Sequence, residues 1–583
     1  MLIIKKLFVF VLLMATLFTC AKQKKSDNLI HLGLSDDPPK WDPALNGDEI
    51  SNQVLSQVYE APYQYHYLKT QFVVVPNLAS ELPIVTNNGL SVLIRFLPGV
   101  LYHDSHPALK GKGRTVQARD FELAIKRMAF VTSSSPGFFV IDGRIKGIEK
   151  WQKEVGSNFE KMLKTPIEGV ILPDGPEGLT LQLELTKAYP ALGQVMSLIF
   201  FSPIPYETLD PTNPFLTSDD DVGTGPYEIS KQVAGLEIVL KKFNKYREVK
   251  FPEQSEADGE FLGSTFASSA GKKLPLNDGI HFHVFKQDQA SWLQFLKGNI
   301  IGAGIPKDYL SAVLDDNNQL KPEYAKQNFQ LKLVTTLSQW WIGLNMRHPL
   351  IGKNKDLREA LAYSLDKKDF IQKFSHGMQI PAKGIMPVSI LKTLGSDMPE
   401  ISFDLNKAKE ALAKAGYPAG KGLQSFNFDI RSLSTEARQQ AEWFQMQWKK
   451  IGIDIKIVAN SFGAYIEKAK KESLEIYLDG WGLDYPSADN VTQLLYSKNF
   501  PPGSNVSYYH SAEVDQWHES LCAQSDPDKA HELIVKITNK VYEDLPWIPL
   551  FTSRGFLLLS DKVNNYRPGS MFTNRLKYWE MKN

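Results

Sequence analysis

Two histidines one residue apart, His281 and His283, are the first place where this sequence could do chemistry. Side chains alternate between the two faces of a strand, so in the strand-like segment Ile280 to Phe285 both imidazoles turn the same way and could meet a metal ion. A pair on an ordinary strand surface gives the same pattern. That is the reading adopted, with no metal and no cofactor expected. Ser389-Ile390-Leu391-Lys392 has the Ser-x-x-Lys spacing that sets a lysine beside a nucleophilic serine. The pattern is common by chance, and no Lys-Thr-Gly accompanies it. Gly-x-Ser-x-Gly, His-Glu-x-x-His and the phosphate-cradling Gly-x-x-x-x-Gly-Lys-Ser/Thr are absent from the sequence. No enzyme is expected, and any ATP hydrolysis coupled to its work must belong to a partner.

The elements around these residues alternate between strand and helix. Leu29 to Leu34 reads as a strand running into Asp36-Asp37-Pro38-Pro39, with a helix-like stretch from Glu49 to Tyr59. Leu90 to Leu97 and Thr180 to Leu185 read as strands and Thr115 to Phe130 as an amphipathic helix, a small mixed unit between about 58 and 190. Gly223-Thr224-Gly225-Pro226-Tyr227 predicts a tight turn whose glycines permit positive φ, followed by strands Glu228 to Ser230 and Leu236 to Lys241. Residues 252–277, rich in Gly, Ser, Glu and Lys, look like a surface insertion. Beyond Gln289, helices (Asp356 to Leu365, Asn406 to Ala415, Ala437 to Ile451) alternate with strands (Leu331 to Thr335, Phe426 to Ile430, Ile453 to Val458), which predicts a second α/β lobe.

The chain has 583 residues, 66 basic and 65 acidic, in interspersed order. More than one domain is expected from that length. A near-zero net charge argues against nucleic acid, which requires a basic surface. Lys5 and Lys6 precede an apolar run from Leu7 to Phe18 that ends at Thr19 and Cys20, the layout of a secretory signal over residues 1–20. The run is too short to span a bilayer. Cys20 resembles the acceptor cysteine of bacterial lipoproteins, although Thr19 is a poorer fit before it. The alternative is a plain cleaved signal. Only Cys522 remains besides, so no intramolecular disulfide is expected after processing. The expected location is the cell envelope, periplasmic or on the outer face of a bacterial membrane, with a lipid anchor on Cys20.

The order of several short pieces resembles the family 5 extracellular solute-binding proteins of ABC importers, the oligopeptide- and dipeptide-binding proteins. The pieces include Trp41-Asp42-Pro43, Val58-Tyr59-Glu60-Ala61-Pro62, Val75-Pro76-Asn77-Leu78-Ala79, Leu93-Ile94-Arg95-Phe96-Leu97-Pro98-Gly99, His103-Asp104 and Ala118-Arg119-Asp120-Phe121. Gly223-Thr224-Gly225-Pro226-Tyr227, Asp356-Leu357-Arg358-Glu359-Ala360-Leu361, Trp448-Lys449-Lys450-Ile451-Gly452-Ile453 and Gly480-Trp481-Gly482-Leu483-Asp484-Tyr485-Pro486 follow. Content and order together carry the resemblance. Asp104-Ser105 and Gly298-Asn299-Ile300-Ile301 depart from the family's Asp-Gly and Gly-Glu-Ile-Asp.

The resemblance implies an α/β, two-lobed periplasmic-binding-protein fold (type II, cluster C-like) with mixed sheets, two hinge strands and an extra subdomain. Lobe I would comprise residues 28–57, 190–282 and 547–583, the extra subdomain 58–189 and lobe II 283–546. The hinge crossings would fall near His283-Val284-Phe285 and Pro546-Trp547-Ile548-Pro549, and closure about them would bury a ligand.

A receptor for short peptides must read an α-ammonium, a carboxylate and the amide backbone. The resemblance places backbone-pairing segments at Asn46-Gly47-Asp48 and Asp479-Gly480-Trp481-Gly482, where the peptide would lie as an added strand. It gives Asp484 to the ligand's ammonium, a role a weakly screened carboxylate suits. A turn-capping Asp before Pro486 is the other reading. Trp481 would wall a ligand side chain or belong to a core. Arg431, Arg438 and Arg347 are candidates for the ligand carboxylate, and Phe138 and Phe139 could close over the cleft. The implied partners are a short peptide and the permease of an ABC importer with separate ATPase subunits, and the chain itself is expected to be a monomer. Relatives of this fold class take nickel complexes, haem, oligosaccharides or opines. A carboxylate such as Asp484 disfavours sugars. A rival of another class is an envelope lipoprotein that no longer serves transport.

Overall fold

The computed structural model describes residues 28–582 apart from 212–213, 262–264, 391–397, 502, 569–570 and 572–573. Cys20, the apolar run before it, and Lys392 of the Ser-x-x-Lys motif therefore lie outside the described residues. Among those described, no helix is long and apolar enough to cross a membrane.

In Leu29–Leu34 (β1), Ile30 and Leu34 are buried while His31 and Gly33 face the other way. The helix Glu49–Val58 (α1) begins where Asp48 accepts the Ser51 N–H at 2.8 Å, the usual way of satisfying an orphan donor in the first turn. Ile84–Thr86 (β2), Ser91–Arg95 (β3), Val170–Ile171 (β4) and Thr180–Glu184 (β5) make an antiparallel sheet in the order β2-β3-β5-β4. The helix Ala118–Ala129 (α2) packs against it, with Phe121 stacked on Phe96.

Tyr227–Val233 (β6), Glu237–Lys242 (β7) and Gly279–Val284 (β8) join β1 in a second sheet, ordered β1-β8-β7-β6, in which β1 and β8 run parallel. Asp288–Leu296 (α3) follows. The third sheet has seven strands. Gly302–Gly304 (β9), Phe329–Leu344 (β10), Ile380–Pro381 (β11), Phe426–Ile430 (β12), Ile455–Ala459 (β13), Ile476–Gly482 (β14) and Trp547–Ser560 (β15) are ordered β9-β15-β10-β14-β12-β13, with β11 on β15. Thr435–Lys449 (α4) packs on this sheet through Phe444 and Trp448, which meet Phe428.

One core contains the first two sheets and reaches from Ile30 to Trp579. A second gathers Ile342, Leu361, Phe428, Trp448 and their neighbours. β15 takes part in both: Ile548 and Leu550 belong to the second core, Leu559 to the first. Phe556 and Leu558 fill a further cluster with Trp292 and Phe295 of α3, and Trp547 enters a fourth with Trp341 and Ile537. Two α/β cores built on mixed sheets are the architecture the sequence led us to expect.

Three details differ from expectation. The strand foreseen over Leu331 to Thr335 is the 16-residue β10, whose last four residues, Trp341 to Leu344, are buried on both faces so that alternation disappears there. Residues 252–277 are not a surface insertion: Phe261, Phe266 and Leu274 are buried in the first core, and Asn277 donates to the carbonyls of Leu576 and Trp579. Gly223 and Gly225 do not adopt positive φ. Their reason is space, because a Cβ would stand 2.0 and 2.5 Å from the Val58 carbonyl oxygen at the end of α1. The bare backbone lets Gly225 N–H donate to that oxygen at 2.8 Å.

Candidate functional site

A cavity of about 420 Å³ lies between the turn before α1 and the end of β14. Asn46, Gly47 and Asp48 line one side, and Trp481, Gly482 and Asp484 the other. Segments more than 400 positions apart thus face one space. Phe139 and Phe200 form apolar walls. Three carboxylates, Asp48, Glu49 and Asp484, line it, and no Lys, Arg or His does among the described residues.

Asp484 is half-buried and held by Asn490, whose Nδ2 donates to its Oδ2 at 3.3 Å while the Asp484 N–H donates to Asn490 Oδ1 at 3.1 Å. Trp481 Nε1 donates to the same Oδ1 at 3.0 Å, so one fully buried amide positions both residues. Burial pushes the Asp484 carboxyl up to about 6, only partly offset by the Asn490 hydrogen bond and its own backbone. No cationic side chain is bonded to it among the described residues. A carboxylate that is desolvated without a counter-charge is costly, and a cation entering the cavity would relieve that cost.

The other predicted residues divide. Asn46 donates to Asn52 Oδ1 at 3.1 Å, while its own Oδ1 is buried without a partner among the described residues. The Asp48 carboxylate is committed to the N–H and hydroxyl of Ser51, at 2.8 and 2.7 Å. Asp479 accepts from Arg431 at 2.8 Å, from the Tyr465 hydroxyl at 3.0 Å and from Gly480 N–H at 2.8 Å. Arg431 also lies over the Trp340 ring, 4.7 Å from its centre. Arg438 stands exposed on α4 and lines none of the described cavities. Arg347 pairs with Glu472 at 3.0 Å between Phe500 and Tyr508.

β14 has a free edge here. It pairs with β10 along its whole length but with β12 only at Ile476 and Tyr477. Leu483 N–H donates to Leu337 O at 2.8 Å, so in this antiparallel ladder residues 481 and 479 bond towards β10 and residues 480 and 482 bond outward. At Gly480 both outward groups are occupied, by Asp479 Oδ1 and by Arg431 at 3.2 Å. Gly482, which lines the cavity, holds its N–H and C=O clear of the ladder. The two glycines differ in another respect. A Cβ on Gly480 would be 2.6 Å from the Trp340 ring, whereas one on Gly482 would meet nothing within 4 Å.

Phe139 and Trp481 also border a neighbouring cavity of about 690 Å³. Its lining carries Arg144, Lys187 and Lys498. Lys187 and Lys498 are each bonded to Glu519, at 3.0 and 2.8 Å. Arg144 stacks on the Tyr189 ring at 3.8 Å with no carboxylate partner among the described residues. Sequence reasoning missed Asn490, Arg144 and Phe200. Asn490 and Arg144 lie in segments without a periodic or motif signal, and Phe200 sits in an apolar run like any core residue.

The description "Bacterial extracellular solute-binding proteins, family 5 Middle" matches residues 73–503. The haem-binding protein A of Haemophilus influenzae is 29% identical over 219 residues, which are 36% of this chain and 39% of that protein. The match therefore spans about two fifths of that relative. The oligopeptide-binding protein OppA of Bacillus subtilis is 21% identical over 541 residues, 91% of this chain and 88% of that protein. Among solved structures, the periplasmic binding protein DppA of Helicobacter pylori, in complex with the peptide STSA, superposes with a TM-score of 0.70 at 21% identity, covering 95% of this chain and 98% of that one.

Proposed function

The chain belongs to the family 5 bacterial extracellular solute-binding proteins, and on that premise we propose that it captures short peptides in the cavity between Asn46 and Asp484 and delivers them to the permease of an ABC importer. Family and fold are those of substrate-binding proteins, not enzymes. The observation that carries the peptide reading is Asp484, a half-buried carboxylate that, among the described residues, has no bonded cation and shares its cavity with other acids and with no base. An α-ammonium is charged at neutral pH, and at about 3 Å in a poorly solvated site its attraction to a carboxylate is weakly screened. Asn46 Oδ1 offers it a second acceptor.

The outward N–H and C=O of Gly482 suit a peptide backbone laid beside β14, a contact indifferent to side-chain identity. The ligand would pass between Phe139 and Trp481, so that its carboxylate reaches Arg144 in the next cavity. A guanidinium can hold it in a bidentate fork. Anchoring through a lipid on Cys20, at the periplasmic or outer face of a membrane, completes the reading; it rests on the signal-like run before that cysteine.

Native mass spectrometry of the purified mature protein tests this directly, comparing wild type with Asp484→Ala. A ladder of short peptides on the wild type, weakened or absent in the variant, is the expected result. A single non-peptide mass, such as haem or a nickel complex, would replace the peptide reading. Equal peptide retention by the variant would remove Asp484 from the ammonium contact.

A further inference from the structure

On the face of the β1-β8-β7-β6 sheet away from the core, a third imidazole joins the pair on β8. Parallel pairing sets His31 of β1 opposite His281 and Gly33 opposite His283, and the period of two turns all these residues to one face while Leu32 and Phe282 point to the first core. One ligating atom from each histidine lies within 4.8 Å of the others. His31 Nδ1 and His283 Nε2 are 3.1 Å apart, and the rings of His281 and His283 stack at 3.9 Å.

We propose that His31, His281 and His283 form a binding site for a divalent ion of the imidazole-preferring class, zinc, nickel or copper, separate from the ligand cavity. Tetrahedral ligand nitrogens at about 2.0–2.1 Å from zinc sit roughly 3.3 Å from one another, a spacing that His31 and His283 already have. Small rotations bring in the third ring. Glu237, opposite His283 on β7, holds His281 Nε2 at 2.6 Å, the carboxylate–histidine arrangement that orients a ligand and places negative charge beside the ion. Phe285 stacks beside His283 and walls one side. No residue of this cluster lines the cavity around Asp484. The ion would clamp β1 to β8 just before the chain leaves this sheet for α3, a structural role rather than one in cargo binding.

The test is calorimetric titration of the chelator-stripped mature protein with Zn²⁺, repeated with Co²⁺ to read the visible absorption of imidazole coordination. One ion should bind per chain at micromolar or tighter dissociation constant. His283→Gln, which keeps a polar side chain on the surface, should weaken binding at least tenfold, and His31→Gln/His281→Gln/His283→Gln should abolish it with an unchanged circular dichroism spectrum. Asp484→Ala should bind the ion as wild type does, whatever happens to its peptide affinity. Absence of one-to-one binding, equal binding by the triple variant, or loss of the ion in Asp484→Ala would each overturn the proposal.

Discussion

Asn490 holds Asp484 at both ends, accepting its backbone N–H at 3.1 Å and donating to its carboxylate at 3.3 Å. The bond to Trp481 draws on the same buried amide, so the carboxylate and the aromatic wall of the cavity cannot move independently. A site that is stiff before its ligand arrives loses less ordering entropy on binding.

The raised Asp484 pKa predicts a pH profile. With a folded value of about 6 against an ordinary 3.8, the folded state binds this proton more tightly than the unfolded one. The carboxyl therefore costs nothing below the unfolded value, and its penalty grows through the interval up to about 6. Asp484→Asn should stabilise the unliganded protein by about 1–3 kcal/mol at neutral pH and have little effect near pH 4. Peptide affinity of the wild type should fall about tenfold per pH unit below about 6, and that slope should vanish in Asp484→Asn. Thermal melts and calorimetric titrations between those limits check both.

Arg144 should distinguish the two ends of the ligand. Arg144→Ala is expected to weaken free-acid peptides by about 1.5–3 kcal/mol, the range for a hydrogen bond to a charged group, and to leave C-terminal amides nearly unaffected. N-terminal acetylation should instead remove the dependence on Asp484. Equal losses for acid and amide in Arg144→Ala would show that the carboxylate is bound elsewhere.

Gly480 and Gly482, two residues apart, should fail differently. Gly480→Ala drives a Cβ into the Trp340 ring, and that ring is held by a bond from its Nε1 to Ser553 at 2.9 Å. A stability loss of about 1–3 kcal/mol is expected from such overpacking. Gly482→Pro deletes an outward N–H at a strand edge where proline is tolerated. It should cost about tenfold in peptide affinity with little change in melting temperature.

Removing Arg431 should reveal what it does for the fold. Arg431→Ala leaves the Asp479 carboxylate, already raised by burial, without its cation. A destabilisation of about 2–3 kcal/mol is expected, below the full cost of breaking a buried pair because Arg431 is partly exposed. Asp479→Asn in the same chain should restore most of it, and Arg438→Ala, on the exposed face of α4, should change neither stability nor binding.

Local signals in the sequence located most elements well. Phe426–Ile430 matches the expected strand, and the helix expected over Ala437 to Ile451 runs Thr435–Lys449. The two segments that face each other across the cavity were also legible, through the resemblance rather than through periodicity. Several motif residues turned out to be scaffold: Asp42 binds Arg127 and the Leu216 N–H, Glu60 binds Arg247 and the Tyr246 hydroxyl, and His103 is buried against Asp221 at 2.6 Å. Asn490, Arg144 and the joining of His31 to His283 were not legible. Asn490 is only six positions from Asp484 but lies in a short segment with no periodic pattern to mark it, whereas the two histidines are 252 positions apart, and no local pattern encodes such a distance.

β15 supplies side chains to four separate clusters within fourteen residues. None of these four clusters can therefore melt alone without stripping a shared strand from the others. Calorimetry should record one sharp endotherm rather than the two expected of independent lobes. Hydrogen exchange should find the amides of this strand among the last to open.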